Sequence, residues 1–155
     1  MAATSTNKQP MLIDHVLHYV VNLDSATNSS IDIVGTNTAS IIVNAINTDG
    51  AIIEDIYTIA RGTNDYKINL YLSSASDYLR PNESIFIGQL TSATTVGNVT
   101  HWEDMPFVLV PVPQVGSETR NRALYIPKGK ALWAARESGV LVTDGPLLGC
   151  QGGWY

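Results

Sequence analysis

Charge is scarce in this chain: Asp, Glu, Lys and Arg make up 15% of its 155 residues, against about 25% in ordinary globular proteins. The nine basic residues are scattered, and the net charge is −5. Binding to a phosphate backbone or to an anionic membrane surface calls for a basic patch, so neither nucleic acid nor a membrane is an expected partner. Cysteine is limited to Cys150, which rules out a disulfide within the chain. No apolar run approaches the roughly 18 residues of a membrane-spanning helix. The first ten residues, MAATSTNKQP, are polar and lack the apolar stretch of a signal peptide, so the expected place of synthesis and folding is a cytoplasm.

Signatures of catalysis are missing too. There is no G-x-S-x-G elbow, no H-E-x-x-H pair, no P-loop and no G-x-G-x-x-G after a strand. His15 and His18 stand three apart beside Asp14. On a helix they would share a face and could chelate a metal; on a strand they point to opposite faces and cannot. His101-Trp102-Glu103-Asp104 groups an imidazole with two carboxylates, a set suited to metal ligation or acid–base work. No second His or Cys completes it, and a solvated loop with its Trp tucked in is the plainer expectation. Cys150, in Leu148-Gly149-Cys150-Gln151-Gly152, is expected to be a small apolar side chain in a tight place rather than a nucleophile, which would need a His beside it. Glycosylation-type triplets begin at Asn28, Asn82 and Asn98, and without a secretion signal they count as chance in an Asn/Ser/Thr-rich chain. The expected catalytic, cofactor-binding and metal-binding residues are therefore none, and an enzyme is not expected.

What the chain does have is β-formers. Hydrophobic residues make up 45%, enough for one domain of this length to bury a core. Met11 to Leu23 is dense in Ile, Val and Tyr and predicts a strand over a helix. Ile31–Val34 alternates. Ser40–Ile46 and Ala51–Ala60 flank Asp49-Gly50, a strong hairpin signal. After a turn over Arg61–Asp65, Tyr66, Ile68, Leu70 and Leu72 alternate with polar neighbours, as in a half-buried strand. Two Pro-led turns follow: Pro81-Asn82-Glu83-Ser84 before Ile85-Phe86-Ile87, and Pro127-Lys128-Gly129-Lys130 before Ala131-Leu132-Trp133. Both suit corners where strands pass between sheets. Between them, residues 91–122 hold Pro106, Pro111 and Pro113, which confine the segment to an edge strand or an extended excursion. Residues 143–155, with Gly145, Gly149, Gly152, Gly153, Trp154 and Tyr155, suggest an adaptable arm with an apolar anchor, or a C-terminus folded over its own sandwich. The expected organisation is an N-terminal arm at 1–10, an antiparallel β-sandwich of jelly-roll type at 11–142, and a Gly-rich C-terminal arm at 143–155.

Taken together, the polar start, the Ile/Val strands with Asn/Thr-rich edges, the L-R-P-N-E-S-I-F-I and Y-I-P-K-G-K-A-L-W-A-A corners and the glycine-rich end resemble small β-sandwich structural proteins of tailed bacteriophages. The likeness covers roughly residues 30–140; the first corner departs from it by carrying Glu83 where the second has Gly129. The resemblance implies a virion component made in the host cytoplasm. Most specifically it implies a capsid decoration protein that holds to the major capsid protein or other virion proteins, forms a homo-oligomer such as a trimer, and lays its arms over its neighbours. A neck or tail position is the alternative within that group.

Two other function classes are open. A glycan-binding host-attachment module would need exposed aromatic platforms, for which Trp102 and Trp154 are the candidates, Trp133 being expected in the core. A jelly-roll metal enzyme would need His15, His18 and His101 to converge.

Overall fold

The computed structural model describes residues 15–27, 39–102, 108–111, 122–137 and 142–154. Among these described residues ten strands follow in order: β1 (His15–Asn22), β2 (Ser40–Asn44), β3 (Gly50–Ile59), β4 (Lys67–Ser73), β5 (Ser84–Thr91), β6 (Val99–His101), β7 (Val108–Pro111), β8 (Arg122–Pro127), β9 (Ala131–Arg136) and β10 (Leu147–Trp154). They form two antiparallel sheets. One runs β1-β10-β3-β8-β7, with β6 on the far end of β3; the other runs β2-β9-β4-β5. The fold is an all-β sandwich, as the β-rich sequence predicts.

The pairing is nested. β1 pairs with β10, β2 with β9, β3 with β8 and β4 with β5, so the chain is one long folded ribbon wound on itself. The contacts β10·β3 and β9·β4 then close each sheet. Between the sheets lies the main core, including Leu17, Ile53, Ile56, Leu70, Leu132 and Leu148. A second cluster of Tyr71, Leu79, Trp133, Ala131 and Ala135 covers the outer face of the β9/β4 sheet, where the rings of Tyr71 and Phe86 meet edge to face.

Several expectations need correction. Asp49-Gly50 does not join a hairpin: β2 and β3 lie in different sheets, and this turn is a crossover between them. The end of β2 is held instead by the 127–130 corner, with Gly129 N–H donating to Ala45 O and Ala45 N–H to Lys130 O. β4 is buried on both faces, not half-buried, because the second cluster covers the side that was expected to face water. The Pro127 corner does pass between sheets, whereas the Pro81 turn joins β4 and β5 within one sheet. The segment 143–155 is no arm. Its residues 147–154 are β10, hydrogen-bonded between β1 and β3 in the middle of a sheet. The glycines serve close strand packing there: a Cβ on Gly152 would collide with the Ile52 carbonyl. The segment 91–122 contains the edge strands β6 and β7, with Pro111 closing β7, in keeping with proline's missing donor. The N-terminal arm, Ile31–Val34, Pro106, Pro113, Asn28 and Tyr155 lie outside the described residues.

One end of the sandwich is tied by arginines. Arg136 is fully buried and donates from Nε to Leu23 O (2.7 Å) and from Nη2 to Asp24 O (2.9 Å). Arg61 Nη1 donates to both carboxylate oxygens of Asp24 and to Gly145 O, while Nη2 donates to Thr143 O. Burial alone would raise the Asp24 carboxyl. The hydrogen bonds from Asn22 and Arg61, the Arg61 charge and the backbone at Gly145 outweigh it and hold the group below its ordinary value.

Candidate functional site

The two sides of the sandwich differ. On the β5/β6 side, Trp102 follows β6 and turns into the core, its backbone N–H donating to Ile56 O (2.8 Å) and its ring lying against Gly88, where a Cβ would not fit. That side is plugged. On the other side β1 and β2, which touch, are each the last strand of their sheets among the described residues. Between them runs an open groove of about 470 Å³ lined by Leu17, Tyr19, Ile41, Ile42 and Trp154 among others.

The rim of that groove is apolar. β1, HVLHYVVN, exposes Val16 (84%), Tyr19 (46%) and Val20 (41%), and contains neither a charged residue nor a proline. Native edge strands are ordinarily guarded by charges, prolines or bulges against pairing with another chain. β1 has none of these along its eight residues. Its outer ladder positions and its apolar side chains together present what a further strand would need: backbone partners along the edge and pockets for alternate side chains.

A polar row crosses the outer face of the same sheet beside this edge. Tyr57 on β3 lies over Gly149 of β10, where a Cβ would overlap its ring, and so reaches across β10 to β1. The Tyr57 hydroxyl meets His18 Nε2 at 2.9 Å. On its other flank the Tyr57 ring contacts the His101 ring, centroids 6.0 Å apart, and His101 Nδ1 sits 2.9 Å from the Asp55 carboxylate. Burial, with the nearby Cys150 and Asp55, pushes the Tyr57 phenol above its ordinary value, so it stays protonated at neutral pH and does not offer a phenolate. What the row does mechanically is to fix β1 to β3 across a glycine gap.

Each sequence candidate now has a place. His15 and His18 lie on a strand and point to opposite faces, so they do not chelate together. His18 and His101 come onto one face, yet with Tyr57 between them. Among the described residues no three His, Cys, Asp or Glu side chains gather as metal ligands would. Glu103 and Asp104 lie outside the described residues. Trp102 is only 7% exposed, so it offers no stacking platform for a sugar; Trp133 is in the core, as expected. Trp154 is partly buried at the end of β10 and lines the groove. Cys150 is fully buried, and burial pushes its thiol up to about 12, as suits an inert packing residue. Sequence reasoning missed Asp55 and Tyr57, although their spacing of two placed them on one face of β3. No protein-family model, characterised protein or solved structure matches the chain.

Proposed function

We propose that this chain is a non-enzymatic structural component of a bacteriophage virion, a decoration protein that stabilises the capsid through contacts with the major capsid protein. The observation that supports an assembly role is the β1 edge: eight residues without charge or proline, apolar at Val16, Tyr19 and Val20, bordering an open groove. An apolar, unguarded edge suits a protein whose surfaces are covered by neighbours. The virion setting rests on the likeness of the Pro81 and Pro127 corners to phage sandwich proteins. The nested pairing of β1·β10, β2·β9, β3·β8 and β4·β5 supports the jelly-roll form of the sandwich, a double-sheet architecture of viral capsid and lectin domains.

Antibody-gold labelling of purified particles, with heads and tails also separated, tests the reading. Label over heads is the expected result. Label confined to tails would move the protein to the neck or tail group. Absence of label, with an antibody that binds the native protein, would overturn the virion role. Removing residues 1–10 is expected to leave the thermal transition in place and to weaken retention on particles.

A further inference from the structure

We infer that the β1 edge is completed by β1 of a second copy of this chain, the two strands running antiparallel about a two-fold axis at His18. The two sandwiches would then share one continuous sheet. The inference rests on reading β1 as a docking edge, and it names what docks there.

Charge is the first argument. The molecule carries a net charge of −5, yet β1 contributes no Asp, Glu, Lys or Arg to it. A second copy can bring its own β1 against this strip without setting like charges opposite one another, which would be unfavourable across a strand pair. A basic or acidic partner would find no counter-charge on the strand.

Sequence symmetry is the second. In HVLHYVVN, the valines two residues to either side of His18 exchange places when the strand is reversed. Val16 meets Val20 of the second copy, Leu17 meets Tyr19, and each match occurs twice. The outer face gains two Val–Val pairs from positions that are exposed in the single chain, Val16 at 84% and Val20 at 41%. A register two residues away sets Val16 against His18 or Asn22 instead. A shift by one is excluded in a continuous sheet, because it would place outward residues opposite inward ones.

The groove is the third. Leu17 and Tyr19 line it on the inner side of β1, together with Ile41, Ile42 and Trp154. Pairing about His18 brings the open sides of two sandwiches together, so each copy's Tyr19 covers apolar surface of the other. On the other side of each sandwich Trp102 fills the space between the sheets, and no comparable groove opens there among the described residues. His18 is held back onto its own sheet by the Tyr57 hydroxyl at 2.9 Å, which keeps it aligned along the edge.

Sedimentation velocity on the full chain tests the proposal. The wild-type protein is expected at twice the monomer mass. A double variant, Val16→Lys with Val20→Lys, is expected at the monomer mass with an unchanged circular dichroism spectrum and cooperative melt, because both side chains already face solvent. Val96→Lys, at an exposed position in the 92–98 loop, is the control and should remain a dimer. Register is read with cysteines oxidised by diamide, which takes up two electrons as two thiols become one disulfide. Paired Cα atoms about 4.5–5.5 Å apart are within disulfide reach. His18→Cys alone should give covalent dimers. Val16→Cys should form them only when mixed with Val20→Cys. A wild-type monomer at every concentration, a trimer, a dimer that survives the double lysine variant, or Val16→Cys cross-linking as readily alone as mixed would each overturn the inference. A monomer that still labels particle heads would leave the virion role standing without this dimer; a dimer that labels no particle would do the reverse.

Discussion

Trp102 separates packing from recognition at the level of one residue. Its indole is buried between β6 and β5 and backed by Gly88. Replacing it with Ala is expected to cost about 3–5 kcal/mol of stability, as for other buried aromatic truncations, seen as a lower urea midpoint. A wild-type midpoint would contradict the core placement. Cys150 makes a complementary case. With its thiol pushed to about 12 and no exposed surface, it should resist a disulfide reagent in the native state and react at once in denaturant. Fast native labelling would mean that β10 opens readily. Asp24 contributes to the pH dependence. Its carboxyl titrates below the ordinary 3.8, so its contribution is present above the unfolded value and fades as pH falls through the folded one. Arg61→Ala should cost about 1 kcal/mol at neutral pH, kept small by partial exposure of the pair. It should also flatten the loss of stability below about pH 4, near the ordinary carboxyl value. A variant melting curve parallel to wild type from pH 6 to pH 3 would remove Asp24–Arg61 from that account.

Among the elements, β10 has the largest consequence. Because it lies hydrogen-bonded between β1 and β3, removing residues 149–155 should abolish the cooperative thermal transition rather than trim an arm. A retained transition would show that β1 and β3 can manage without it. This is also where sequence and structure part. Several elements were legible: β1 from its Val and Tyr content, β4 from alternation, and the turns at Pro81 and Pro127 from proline's fixed φ. Glycines at 149 and 152 looked like flexibility because a sequence shows the missing side chain but not the neighbour that fills the space. In the fold, the Tyr57 ring and the Ile52 backbone occupy it. Asp49-Gly50 misled for a related reason. A turn signal tells where the chain reverses and not which sheet it enters next. Of the candidate site, an apolar strand was visible in Met11 to Leu23, whereas its place at the edge of a sheet and the His18–Tyr57 and His101–Asp55 contacts depend on strand order that no local pattern encodes.

For the whole molecule, pairing is dominated by distant partners: His15 lies opposite Trp154, and Ser40 opposite Ala134. Non-local β topologies of this kind refold slowly, on timescales of about milliseconds to seconds. Stopped-flow refolding followed by tryptophan fluorescence should fall at the slow end of that range, since Trp102 reaches its place between the sheets only once both close. A submillisecond phase carrying the full amplitude would contradict it.

The place of β10 has a consequence for how the chain is made. Synthesis delivers β1 and β3 early, yet the strand that belongs between them is the last of the sandwich to leave the ribosome. Until then β1 lacks its β10 neighbour, and a nascent chain carries an uncharged apolar strand with that edge open as well. This sheet therefore closes only after β10 has been made, and nearby nascent copies on one message would meet at the segment most apt to join them.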